Sequence, residues 1–165
     1  MIPNVVNAVA EPGVVATMTQ EFLGLLGIGL VLPIAAVGSC IAITIVGLAA
    51  VGAWKRCIKA NKPLPMTIVA LTGMPISQTL YAFILLLQMI NITPTVENAG
   101  LLFGYGIGTG LALFFSAVAQ GKIGAAACDA LADDSKGFVN YLMVLGIAET
   151  VALFAMVFTM INLPG

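Results

Sequence analysis

There is no histidine anywhere in this chain of 165 residues, and charged side chains make up only 8% of it. The lack of histidine removes the commonest ligand of haem and catalytic zinc. The three cysteines, Cys40, Cys57 and Cys128, have no CxxC spacing that could replace it, and all three read as free thiols. No P-loop pattern is present, so the chain is not expected to be an enzyme on its own, and no organic cofactor is implied. With six basic residues and a net charge of -1, nucleic acid is not an expected partner. The scarce charge is also unevenly placed. Uncharged stretches run from Phe22 to Trp54, from Pro63 to Val96, from Asn98 to Gly121 and from Gly137 to Gly165, the last broken only by Glu149.

What fills those stretches is apolar: 61% of the chain is hydrophobic and its mean hydropathy is +1.12. Lipid is the solvent that suits such a composition. A helix needs roughly 20 apolar residues to cross a bilayer, so each stretch is long enough and four crossings follow. A membrane β-barrel would show alternating segments of about ten residues, and the runs from Ile41 to Val51 and from Ile84 to Leu87 do not alternate. The predicted fold is an all-α, multi-pass membrane protein of four transmembrane helices in two tandem hairpins. Residues 21–92 hold helices 1 and 2, residues 97–165 hold helices 3 and 4, and residues 1–20 form an N-terminal segment. All six basic residues, Lys55, Arg56, Lys59, Lys62, Lys122 and Lys136, fall between helices 1 and 2 or between helices 3 and 4. Basic loops stay on the cytoplasmic side, so both hairpin loops are expected there, with both termini and the connector around Pro94 to Asn98 on the outer side.

Sliding the second half over the first by 71 residues sets Gln88-Met89-Ile90-Asn91 over Thr159-Met160-Ile161-Asn162 and Cys57 over Cys128. The chain reads as a duplicated hairpin whose halves enter the membrane in the same direction. At this offset Gln78 pairs with Glu149, so one half keeps a carboxyl where the other has a neutral amide of the same length. Helices 1 and 3 are rich in glycine, which lets helix backbones approach closely in lipid; they are expected to form a crowded inner layer with the bulkier helices 2 and 4 outside. Pro33 is expected to kink helix 1. Pro75, three residues before Gln78, is expected to disturb the carbonyls of its own turn.

Ser77, Gln78 and Tyr81 share one arc of helix 2 by their spacing. Helix 4 offers Glu149 and Thr150, and helix 3 offers Gln120 in the run SAVAQGK. An acid in hydrocarbon is costly and by default marks an ion or proton path; the bland alternative is a protonated Glu149 serving only as a hydrogen-bond donor between helices. The stretches PISQTLY (Pro75 to Tyr81), SAVAQGKIGAAA (Ser116 to Ala127) and GIAETVAL (Gly146 to Leu153) resemble the proteolipid (c or K) of V-type ATPases. The resemblance covers the chain from about Phe22 onward. It implies a homo-oligomeric ring of identical subunits, a stator with a membrane arginine, and a central stalk at the cytoplasmic loops, all within lipid. It also implies Na+ as the carried ion, held by Glu149, Ser77, Gln78, Gln120 and the backbone carbonyl of Met74, with Tyr81 hydrogen-bonding the carboxyl and Thr150 in support. Independently, a hard cation needs several oxygen ligands, whereas a proton needs the carboxyl alone, which would leave two glutamines and a serine without a role.

The alternative within the same family is an H+-carrying rotor. A small multidrug transporter also uses four helices and one buried acid, but it would need an aromatic-lined chamber, and Trp54 lies at the cytoplasmic edge. A structural tetraspan without any transported ion is the third class.

Overall fold

The computed structural model describes residues 12–164. Among them every regular element is helical. Helix α1 spans Pro12–Lys59, α2 Ile68–Gly73, α3 Ser77–Met89, α4 Ala99–Asp134 and α5 Phe138–Ile161. A single turn of 3-10 helix, Met74–Ile76, joins α2 to α3, so the two together make the second of four crossings. Of the segment expected over residues 1–20, residues 1–11 lie outside the described residues. Residues 12–20 are helical and run without a break into α1.

At 1.5 Å per residue, the 48 residues of α1 reach about 72 Å and the 36 of α4 about 54 Å. A hydrocarbon core is about 30 Å thick, so both helices overrun it. Gly24 already abuts Pro94 and Ala99, which puts the first turns of α1 beyond the start of α4. Helix α1 continues through Pro33, the residue at which a kink is expected. Pro33 itself is exposed.

The two long helices run parallel and are the most closely packed pair. Along α4 the buried positions Ala99, Leu102, Gly106, Thr109, Leu113, Ser116 and Gln120 repeat every three or four residues, a seam that one helix face can bury continuously. Its partner face on α1 is narrow: a Cβ on Gly106 would stand 1.9 Å from the Gly27 carbonyl oxygen, and one on Gly38 would stand 2.6 Å from Phe114 Cα. Only glycine permits such backbone contact. Lining up α5 with the first hairpin by the 71-residue offset places Phe138 and Ile161 at 67 and 90, against 68 and 89 for the ends of the second crossing. The one departure is the 3-10 turn: Pro75 corresponds to Gly146, where α5 continues as a regular helix.

At one end of the bundle Arg56 pairs with Asp129, Lys62 Nζ donates to the Asp133 carbonyl at 2.9 Å, and Trp54 Nε1 donates to the Pro65 carbonyl at 3.3 Å. These contacts hold the two charged turns together. Cys57 and Cys128, free and buried, belong to the apolar cluster beneath them with Ile68, Leu71 and Leu131. Cys40 is a free thiol on the lipid-exposed surface.

Candidate functional site

The second crossing is where local sequence shapes the site. Proline has no N–H, so the bond that residue 75 would give to the Leu71 carbonyl is missing, and the next turn tightens to 3-10. In that tight turn the Met74 carbonyl accepts the Ser77 N–H and also the Ser77 hydroxyl, at 2.9 Å. Pro75 thus disturbs its turn as expected, and Met74 O, expected as a backbone ligand, accepts both the N–H and the hydroxyl of Ser77.

From Ser77 the polar groups continue across three helices. Gln78 is fully buried on α3, and its side-chain nitrogen donates to Gln120 Oε1 at 3.0 Å and to Ser116 Oγ at 3.4 Å. Gln120, also fully buried, donates from Nε2 to the Leu145 carbonyl at 3.3 Å, and Ser116 donates to the Ala148 carbonyl at 2.8 Å. Both acceptors belong to α5, one turn and one residue ahead of Glu149. Buried amides at this depth cost several kcal/mol if left unpaired, and among the described residues no buried side-chain nitrogen or oxygen lacks a partner.

Glu149 stands eleven residues after Phe138 and twelve before Ile161, midway along α5. Its Oε1 accepts the Tyr81 hydroxyl at 2.6 Å. The structure therefore arranges the expected residues as two groups: Ser77, Gln78 and Gln120 in one hydrogen-bonded network, and Tyr81 with Glu149 as a separate pair, Tyr81 lying one turn further along α3. Thr150 does not join them. It is exposed, and its hydroxyl is spent on its own helix at the Ile147 carbonyl, 2.7 Å away.

Glu149 is the acidic side chain of the site, and the other hydrogen-bonding side chains around it, Ser77, Gln78, Tyr81, Ser116 and Gln120, are neutral. Counting protons shows what their oxygens can do. Both Gln78 N–H groups face other side chains, the Ser116 proton goes to Ala148, and the Ser77 proton lies nearer Met74 O than the Gln78 Oε1 at 3.3 Å. Ser77 Oγ and Gln78 Oε1 consequently present lone pairs side by side, an arrangement that repels acceptors and attracts a small cation.

Residues 103–162, α4 from its second turn and all of α5, match the family model for the ATP synthase C subunit. The K subunit of the A-type ATP synthase of Methanocaldococcus jannaschii is 29% identical to this chain over 144 residues, covering 87% of the chain and 62% of that relative. Both findings are likenesses, one to the C-subunit model over the second hairpin and one to an A-type K subunit over most of the chain. The chain spans about three fifths of the length of the relative it matches. Within the segment that matches the family model lie Ser116, Gln120 and Glu149; Ser77, Gln78 and Tyr81 come from the first hairpin.

Sequence reasoning missed Ser116 as a member of the network, although its i, i+4 spacing to Gln120 puts both on one helix face. It also missed two hydroxyl pairs, one part-buried and one buried, that bind the helices elsewhere. Thr79 donates to Ser39 at 2.8 Å, joining α3 to α1, and Thr109 pairs with Thr159 at 2.6 Å, joining α4 to α5. The pattern of small residues around Ser39 hides the first, and no local signal marks the second.

Proposed function

We propose that this chain is the ion-carrying proteolipid of a rotary ATPase, that identical copies close into a ring, and that each copy carries one Na+ at Glu149. The observation that carries the sodium assignment is the direction of the polar hydrogens. They point at backbone carbonyls and at one another, so Ser77 Oγ and Gln78 Oε1 offer lone pairs, while Tyr81, one turn further along the same helix, holds the Glu149 carboxyl. One carboxylate balances one monovalent cation, and neutral oxygens replace its water.

The family match and the relative named as part of an ATP synthase support the rotor reading over a multidrug transporter. In that reading the chain hydrolyses nothing. Ion-loaded Glu149 is neutral and can face lipid, while the emptied carboxylate needs a counter-charge, which a stator arginine supplies. Alternation between the two states lets a ring turn with its cargo. Moving one charge through the membrane potential costs about 2.3 kcal/mol per 100 mV, and ATP hydrolysis in partner subunits, coupled through a central stalk at the cytoplasmic loops, provides it.

A carbodiimide modifies a protonated buried carboxyl, and bound sodium excludes that proton. Sodium should therefore protect Glu149 at fixed pH, and potassium, too large for ligands on short helix-anchored arms, should protect far less. A labelling rate that follows pH and ignores sodium would make the ring a proton carrier.

A further inference from the structure

We infer that Ser116 is a positioning residue that fixes which way the Gln78 amide faces and so keeps its oxygen turned toward the ion. The inference rests on the sodium reading above and adds to it a residue that would not itself touch the ion.

A primary amide can turn over at little cost unless its neighbours distinguish oxygen from nitrogen. Here the distinction originates in two backbone carbonyls of α5. Leu145 O takes the Gln120 N–H, which leaves Gln120 Oε1 pointing at Gln78. Ala148 O takes the only proton of Ser116, so Ser116 Oγ can offer Gln78 nothing but a lone pair. Gln78 thus meets two acceptors, and both must be satisfied by its –NH2 group. Turning the amide over would set its oxygen against Gln120 Oε1 and Ser116 Oγ with no proton between them, while placing –NH2 against Ser77 Oγ and the ion. The contact from Gln78 to Ser116, at 3.4 Å, is the longest in the network. Its weight lies in the orientation it forbids more than in the bond it makes.

Ser116 is also placed to sense α5 itself, because the carbonyl it holds belongs to the residue immediately before Glu149. One hydroxyl on α4 therefore ties the amide on α3 to the turn of α5 that carries the acid. Alanine in its place would leave one Gln78 N–H without a partner and Gln120 Oε1 as the one acceptor still opposing the turned amide, so the preference for the ion-facing orientation would weaken.

The test compares the wild type, S116A, S116T, Q78A and the S116A/Q78A double variant in the assembled membrane protein. The first readout is the sodium concentration that half-protects Glu149 from a carbodiimide. S116A should raise it about tenfold, the scale of one lost hydrogen bond to a buried group. S116T, which keeps the hydroxyl, should restore it to within about twofold, and the double variant should be no weaker than Q78A alone, because Ser116 acts through Gln78. An S116A protein with unchanged protection, or a double variant whose losses multiply, would overturn the inference. If the wild type shows no protection by sodium, the cargo assignment fails separately. The thermal midpoints of the same five proteins without sodium then decide on Ser116: non-additive losses from S116A and Q78A with recovery in S116T support it, and additive losses reject it.

Discussion

Gln120 is committed at both ends of its amide, and neither end can reach water. Changing it to leucine removes the acceptor for Gln78 and the donor for Leu145 O together, and each polar group left without its side-chain partner costs about 1–3 kcal/mol. Gln120→Leu should therefore lower the thermal midpoint and weaken sodium protection while leaving a carboxyl at Glu149 that still reacts with a carbodiimide. Thr150→Val makes the matching control: an exposed side chain bonded to its own helix should change stability by no more than about 0.5 kcal/mol and leave sodium protection where it was. The contrast also marks how far the sequence could be read at this scale. Ser77, Gln78 and Tyr81 were legible because helical spacing alone puts them on one arc. Thr150, expected in support of Glu149, lies about 100° further around the helix, and its hydroxyl bonds to its own helix outside the cluster. The engagement of Met74 O by Ser77 was not legible, since it depends on the turn tightening to 3-10.

At the scale of helices the controlling contact is backbone against backbone, where Gly106 meets Gly27. A methyl group added at Gly106 would lie 1.9 Å from a carbonyl oxygen, too close for any small shift to relieve, and the obstacle is main chain that cannot turn aside. Overpacking of this kind typically costs about 1–3 kcal/mol and occasionally more, so Gly106→Ala should separate α1 from α4. Thermal melting in detergent should show a clear drop, and a variant as stable as the wild type would mean that the parallel pair is packed differently. Glycine counts in the sequence pointed to close packing of the first and third crossings, and length and charge spacing gave the number of crossings. The precise partners of each glycine were not legible, because the stagger between α1 and α4 is set by side chains along the whole seam. The internal repeat had a structural counterpart in the ends of the second and fourth crossings, and Pro75 against Gly146 explains why only one of them breaks.

Across the whole molecule, the contacts of Arg56 with Asp129 and of Lys62 with Asp133 gather both charged turns at one end of the bundle. Which side of the membrane that end faces follows from the positive-inside rule, and it can be tested with an impermeant thiol reagent. The natural cysteines make poor reporters. Cys57 is 1% exposed within the apolar cluster, with its thiol against the Ala132 carbonyl at 3.6 Å, and Cys128 is buried in the same cluster. Cys40 is exposed, but on the twenty-ninth residue of a helix whose neighbours there are Ile41 and Val37, where a charged reagent does not enter. Lys59, the last residue of α1, is exposed and takes part in no salt bridge among the described residues, so Lys59→Cys should leave the fold intact and place a thiol in water. Inside-out vesicles carrying Lys59→Cys should be labelled, right-side-out vesicles should not, and the wild type should stay unlabelled in both. Labelling of Lys59→Cys from the outer face would turn the whole bundle over, since the contacts between the charged turns move both loops together.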